Sequence, residues 1–311
     1  MTNSNDSYWL ANPHHPLTGF AQIIGTEGTA RTLRTRIGLL QVQARIDGTD
    51  GQGPPGFTLA AMRNLVLSDD SYAAQLTLPG LVKLCNKFQA AGGYAPTSGG
   101  GQVKLGDACT TLAHWNGKFD TGQRGAVLFA AFWRFTLAAS PSPFSHPFQL
   151  PHPVTTPYGL NTANTTVHTA LGDAIQQLNK AHIPIDTTLG AVQYVTYHGS
   201  HITIPGGPGI PGPDDDGIFN VIEEIPQLSG SLTSPVGGSS FIQVVTWQPH
   251  SACPVGSTIL TYSESSNPAS PHFADQTKLF SNKQFLPDRF CPKQIAADPH
   301  LQVVTVTSRA G

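Results

Sequence analysis

The chain has 311 residues, a formal net charge of -2 and only 12% charged residues, against about 25% in an average soluble protein. That balance gives no basic footprint for nucleic acid. No run reaches the roughly 18 apolar residues that would mark a membrane-spanning helix, and the start lacks the basic and apolar regions of a signal peptide.

With 32 Gly and 26 Pro, much of the chain must be loop. GTDGQGPPG (48–56) is a breaker run, after which Thr58 caps a predicted helix over 59–66. A second helix is predicted over 81–91, stopped by Gly92 and Gly93. A third, over 124–138, is apolar on nearly every face and is expected to be buried on all sides. Residues 140–159 are rich in Pro, Ser and His and read as irregular surface chain. A fourth helix is predicted over 166–180, with Val167, Leu171, Ala174, Ile175 and Leu178 on one stripe.

Beyond that point the pattern turns strand-like. Residues 190–197, 218–222, 240–247, 258–262 and 301–307 are rich in β-branched and aromatic residues and are separated by Gly, Pro and Ser. The fold class expected is α+β, with helices in the first half and mostly antiparallel strands in the second. The division falls near residue 185: 1–185 mainly loop and helix, 186–311 mainly strand.

The four cysteines, Cys85, Cys109, Cys253 and Cys291, form no C-x-x-C pair. Three disulfide pairings are possible. Cys85–Cys109 with Cys253–Cys291 is favoured because each pair lies in one region of the chain; four free thiols in a cytosolic protein is the alternative.

Self-contained catalytic motifs are missing. The sequence has no G-x-S-x-G, no Walker loop, no H-E-x-x-H and no G-x-G-x-x-G after a strand. Gly206-Gly-Pro-Gly209 is a poor phosphate cradle because Pro208 removes an N–H. The pairs His14-His15 and His198/His201 lack a matching Cys or carboxylate set and read as surface or structural. Asp214-Asp-Asp-Gly217 lacks the alternating ligands and closing Glu of a calcium loop and reads as an acidic turn. No metal and no cofactor are expected. Asn3-Ser-Asn-Asp-Ser-Tyr-Trp9, taken alone, is a turn.

Taken together, several ordered blocks carry more information. NSNDSYWLANP (3–13) with PLTG (16–19), the Arg-rich 31–37, FTL (57–59), LAHWNGKFD (112–120) with RGAVLF (124–129), and SESSNPASPHFADQ (263–276) with Leu279-Phe280 resemble successive stretches of the β subunit of the penicillin-acylase family. These are N-terminal-nucleophile hydrolases, and the closest branch is that of acyl-homoserine-lactone and aculeacin-A acylases.

The resemblance implies hydrolysis of a linear N-acyl amide, such as an acyl-homoserine lactone, a lipopeptide or a penicillin-type substrate. In the family a serine at the start of the β subunit attacks the carbonyl, with its own amine as base. The second Asn of the N-x-N motif stabilises the oxyanion. That role falls to Asn5 here. An arginine shortly afterwards positions the amine and the Asn: Arg34 is the best match, with Arg31 or Arg36 as alternatives. Tyr8 and Trp9 are candidates for the acyl pocket, with ordinary core packing the competing reading.

The nucleophile and the His-bearing segment that follows it have no counterpart here, and Thr2 sits too close to Asn5 to replace the serine. The resemblance therefore implies the C-terminal part of a β subunit, within an αββα sandwich and inactive alone. Its partners would be an α subunit and the first part of the β subunit. Location would be periplasmic or secreted. Asn12-Pro-His-His-Pro16 stands where some relatives hold calcium, so no such site is expected. The alternative reading is a non-catalytic α+β binding or structural protein built on the same scaffold.

Overall fold

Polar caps set the helices of the computed structural model, which describes residues 2–137, 142–209, 215–222, 237–248 and 250–307. Helix α1 (Leu33–Asp47) starts after Thr32, whose hydroxyl accepts from the Thr35 N–H. It ends at Gly48, which takes the left-handed conformation with φ 68°. Thr58 caps α2 (Leu59–Val66) and Ser71 caps α3 (Tyr72–Ala90) in the same way. Helices α4 (Ala108–His114), α5 (Ala126–Leu137) and α6 (Thr165–Lys180) follow, the last capped by Asn164. Shorter helices α7 (Leu189–Val192), α8 (Asp275–Ser281) and α9 (Pro292–Ala296) lie in the second half.

The strands form small antiparallel sheets. β1 (Tyr94–Pro96) pairs with β2 (Gln102–Lys104), β3 (Phe144–His146) with β4 (Tyr158–Leu160), and β5 (Tyr194–Tyr197) with β6 (Ser200–Thr203). The largest described sheet has the order β7 (Phe241–Trp247), β8 (Pro254–Leu260), β9 (Leu286–Asp288). The architecture is α+β.

The main core is helical. Along α5, Ala126 to Trp133 are all buried, so this helix is apolar because it is enclosed by its neighbours, α6 above all. A second cluster joins Leu67 to Ile202, Ile242, Ile259 and Phe280. A third contains Trp9, Leu10 and Leu39, with Phe20, Phe148 and Val154 against them. The main and second clusters are tied by an ionic group around the buried Asp69. Lys283 Nζ contacts Asp69 Oδ2 at 2.7 Å, donates to the Leu67 carbonyl at 2.8 Å and meets Asp120. Asn220 donates to the other Asp69 oxygen at 2.9 Å. Disulfides join Cys85 to Cys109, linking α3 to α4, and Cys253 to Cys291, linking β8 to the start of α9.

Several elements differ from the sequence expectation. Helix α3 begins at Tyr72, well before residue 81; Pro79 and Gly80 look like a break but are absorbed inside it. Residues 189–192 are a helical turn, leaving only Tyr194–Tyr197 as strand. Residues 218–222 form no strand and carry only isolated bridges, Gly207 to Val221 and Ile222 to Gly238. Residues 301–307 are exposed and form no regular element, without a sheet partner among the described residues. Met1, residues 138–141 and Asp214 lie outside the described residues. No helix among the described residues is long and apolar enough to cross a membrane.

Candidate active site

The first residues form a tight turn locked by their own side chains. The Asn3 side-chain oxygen accepts from the Asn5 N–H at 2.9 Å, and the Ser7 hydroxyl accepts from the Ser4 N–H at 3.0 Å. Asn5 adopts φ 63°, in the left-handed region that Asn tolerates better than most residues. Its side chain is thereby lifted to the surface.

Helix α1 fixes that side chain from below. Arg34, in the first turn, donates through one terminal nitrogen to the Asn5 Oδ1 at 2.8 Å and to the Ser4 carbonyl at 2.9 Å. Its Nε donates to the Gly209 carbonyl. A guanidinium only donates, so the atom facing it must be the amide oxygen. The Asn5 Nδ2 is therefore the end turned away from Arg34, on an exposed residue, and it hydrogen-bonds no acceptor among the described residues. An amide N–H that is not used by its own turn is the type of donor that can hydrogen-bond negative charge.

The end of α1 is itself held by acids. Asp6 Oδ2 accepts from the Thr32 N–H at 2.9 Å, and Asp215 Oδ2 accepts from the Leu33 N–H at 2.8 Å. Both carboxylates sit where the helix dipole favours negative charge. Burial pushes the Asp215 carboxyl up to about 6, opposed by the Leu33 and Gly217 N–H groups and by Arg34. Burial also lowers the Arg34 pKa, against the pull of Asp215 and Asp6. Two glycines permit this packing. A Cβ on Gly209 would fall 2.3 Å from the Ile218 carbonyl oxygen and 3.0 Å from Arg34 Cδ. One on Gly217, at φ +70°, would fall 2.6 Å from Leu33 Cβ.

The other expected residues have different surroundings. Arg31 pairs with Asp6 at 3.2 Å and lies over the Tyr8 ring, 5.2 Å from its centroid. Arg36 turns inward, donating to the Val154 and Pro157 carbonyls at 2.8 and 2.9 Å and stacking on Tyr72. Of the three arginines, Arg34 is the one hydrogen-bonded to Asn5. Tyr8 is partly exposed, while Trp9 is buried and donates to the Thr29 carbonyl at 3.0 Å. Two polar clefts, of about 470 Å³ beside His114 and Arg124 and about 300 Å³ beside Gln41 and Lys118, are lined by neither Asn5 nor Arg34.

Sequence reasoning missed Asp215 and Gly209 as parts of this arrangement. Both came from motifs weighed for other chemistry, the acidic turn and the glycine-rich stretch. The available signal is three consecutive acids set directly before Gly217 and the apolar Ile218-Phe219, since a carboxylate drawn into an apolar setting needs a built partner.

Comparison with known proteins matches nearly the whole chain to one family. The penicillin amidase family model matches residues 1–297. The chain is 39% identical to the aculeacin-A acylase of Actinoplanes utahensis over 311 residues, which is 99% of this chain and 37% of that protein. It is 32% identical to the acyl-homoserine lactone acylase PvdQ of Pseudomonas syringae pv. tomato, covering 98% of this chain and 37% of that protein. With the PvdQ of Pseudomonas fluorescens Pf0-1 the identity is 33%, covering 98% and 36%. The chain thus spans little more than a third of the length of these relatives, and it belongs to the penicillin amidase family.

Proposed function

We propose that this chain is the oxyanion-bearing portion of an N-acyl amide hydrolase, contributing the C-terminal part of a β subunit. The observation that supports this most is the Asn5 amide, braced by Arg34 with its donor end outward, in a chain of the penicillin amidase family. The nucleophilic serine comes from a segment outside these 311 residues. It attacks the amide carbonyl with its own α-amine as base. The oxygen becomes an oxyanion and is met by the Asn5 Nδ2. Collapse expels the amine, leaving an acyl-enzyme that water hydrolyses.

Arg34 keeps the amide from rotating and helps to place the nucleophile's amine. Tyr8, partly exposed in the same short turn, lines the acyl side, and Trp9 supports the turn from within. The names of the relatives point to acyl-homoserine lactones and to aculeacin A as the substrate class. The two disulfides fit an oxidising compartment, the periplasm or outside the cell.

The test is complementation. The purified chain is assayed on an N-acyl-homoserine lactone alone and after co-production with the unmatched portion of the Actinoplanes utahensis acylase. Hydrolysis is expected only from the pair. Hydrolysis by the 311-residue chain alone overturns this reading, as does a stable pair with no turnover.

A further inference from the structure

Asp215 is a buried acid whose two oxygens are both taken by main-chain N–H groups. Oδ2 accepts from Leu33 at 2.8 Å and Oδ1 from Gly217 at 2.9 Å. Arg34 and Arg36 attract it through space, and neither hydrogen-bonds it among the described residues. Burying a carboxylate without a cation in contact is costly unless its acceptors are filled. An Asn in its place would present one oxygen to the two donors. The residue is pinned to the core from two sides. The Trp133 indole of α5 donates to the Asp215 carbonyl at 2.9 Å. At the start of α3, the Ala73 N–H and the Ser71 hydroxyl donate to the Asp216 carbonyl at 3.1 and 3.0 Å. Leu33 directly precedes Arg34. One run of contacts therefore leads from α5 and α3, through Asp215, to the first turn of α1, and through Arg34 to Asn5.

We propose that Asp215 is a positioning residue for acyl transfer: it fixes the first turn of α1, and so holds Arg34 where it aims the Asn5 amide. This rests on reading the chain as one portion of an acylase. The charged groups around Asp215 are Arg34 and Arg36 on α1, Asp6 in the turn and its neighbour Asp216. Tyr72 of α3 lies against Gly217, and α5 presents the Trp133 indole. A proton on either carboxyl oxygen gives up part of the acceptor capacity that the two N–H groups use. Burial pushes the Asp215 carboxyl up to about 6, so the positioned arrangement is lost as the pH falls through that value. Stability moves the other way in the same window, because the fold retains this proton better than the unfolded chain does. Turnover that falls while stability rises separates aiming a donor from merely holding the fold together.

NMR on the full chain tests the relay without any turnover. The Asp215 carboxyl carbon, the Arg34 Nε and the Asn5 Nδ2 are expected to shift together as the pH is varied, with a midpoint of about 6. Asp215→Asn should abolish that titration at Arg34 and Asn5, and speed exchange of the Arg34 Nε–H by about tenfold at neutral pH. Kinetics in the acylase complemented with the unmatched portion of the Actinoplanes utahensis enzyme supply the second arm. On an N-acyl-homoserine lactone, the parent's kcat should exceed that of Asp215→Asn by about tenfold at about pH 7.5 and match it at about pH 5, with KM unchanged. Titration of the nucleophile's amine is common to both enzymes and cancels in the ratio. Cys253→Ala/Cys291→Ala removes a cross-link far along the chain from the turn, and its ratio to the parent should not vary with pH. A pH-independent ratio for Asp215→Asn overturns the proposal. So do Arg34 and Asn5 resonances that stay still while the Asp215 carboxyl titrates, a result read on the parent even if the variant fails to fold. A complemented parent with no turnover sinks the acylase reading instead, and the resonances alone then decide whether Asp215 positions Arg34.

Discussion

Arg34 donates to the side-chain oxygen of Asn5 at 2.8 Å, and this bond decides which end of the amide faces outward. The same guanidinium also holds the Ser4 and Gly209 carbonyls. A lysine has one point charge in place of that planar fork and cannot hold all three acceptors. Arg34→Lys in the assembled enzyme should therefore lower kcat by about 10- to 100-fold, since part of an oxyanion donor's worth is its fixed orientation. Steady-state kinetics check this; an unchanged kcat would separate Arg34 from the oxyanion donor.

The Asp69–Lys283 pair should dominate the attachment of the C-terminal sheet to the helices. Asp69 is fully buried, and Lys283 is its cationic partner at 2.7 Å. Removing one member of such a pair typically costs about 3–5 kcal/mol. Lys283 is partly exposed, so Lys283→Met is expected near the lower end, about 3 kcal/mol. Adding Asp69→Asn should recover part of the loss, because a neutral amide needs neither a cationic partner nor a proton taken up to replace one. Urea denaturation of both variants measures the difference.

Stability should fall as the pH rises from about 4 to about 7. Burial pushes Asp69 up to about 7 and Asp215 up to about 6, whereas an unfolded Asp titrates near 3.9. Within that window the native state holds more protons than the unfolded chain. Raising the pH strips protons that only the fold retains, so stability is lost up to the folded pKa and then levels off. Asp215→Asn should make the decline shallower below about pH 6. Denaturant midpoints across the range check it; equal slopes in parent and variant would contradict it.

The Cys85–Cys109 bond closes 24 residues and joins two helices of the main core. Chain-entropy reasoning puts such a cross-link at about 3 kcal/mol. Cys85→Ala/Cys109→Ala is expected to lose that much in calorimetry or denaturant unfolding. Breaking Cys253–Cys291, which closes 38 residues, should cost a similar amount.

Local signals made some of this legible from the sequence. The Thr58 cap, the apolar stripe of α6 and the uniformly apolar α5 are encoded within single segments, and each appears close to its expected bounds. Residues 218–222 have strand composition but are held by long-range contacts, Asn220 to Asp69 and Val221 to Gly207, which a local pattern cannot contain. At the site, Asn5 and Arg34 lie 29 positions apart and were named from the resemblance. Asp215 and Gly209 reach Leu33 and Arg34 across 182 and 175 positions. Only folding shows that an acidic turn and a glycine-rich loop brace one helix start.

The most direct measurement is the kcat of Asn5→Ala in the complemented acylase on an N-acyl-homoserine lactone. Loss of an oxyanion donor predicts a fall of about 10²- to 10³-fold, with KM little changed and the complex intact. Turnover at the parent rate would contradict the role assigned to Asn5.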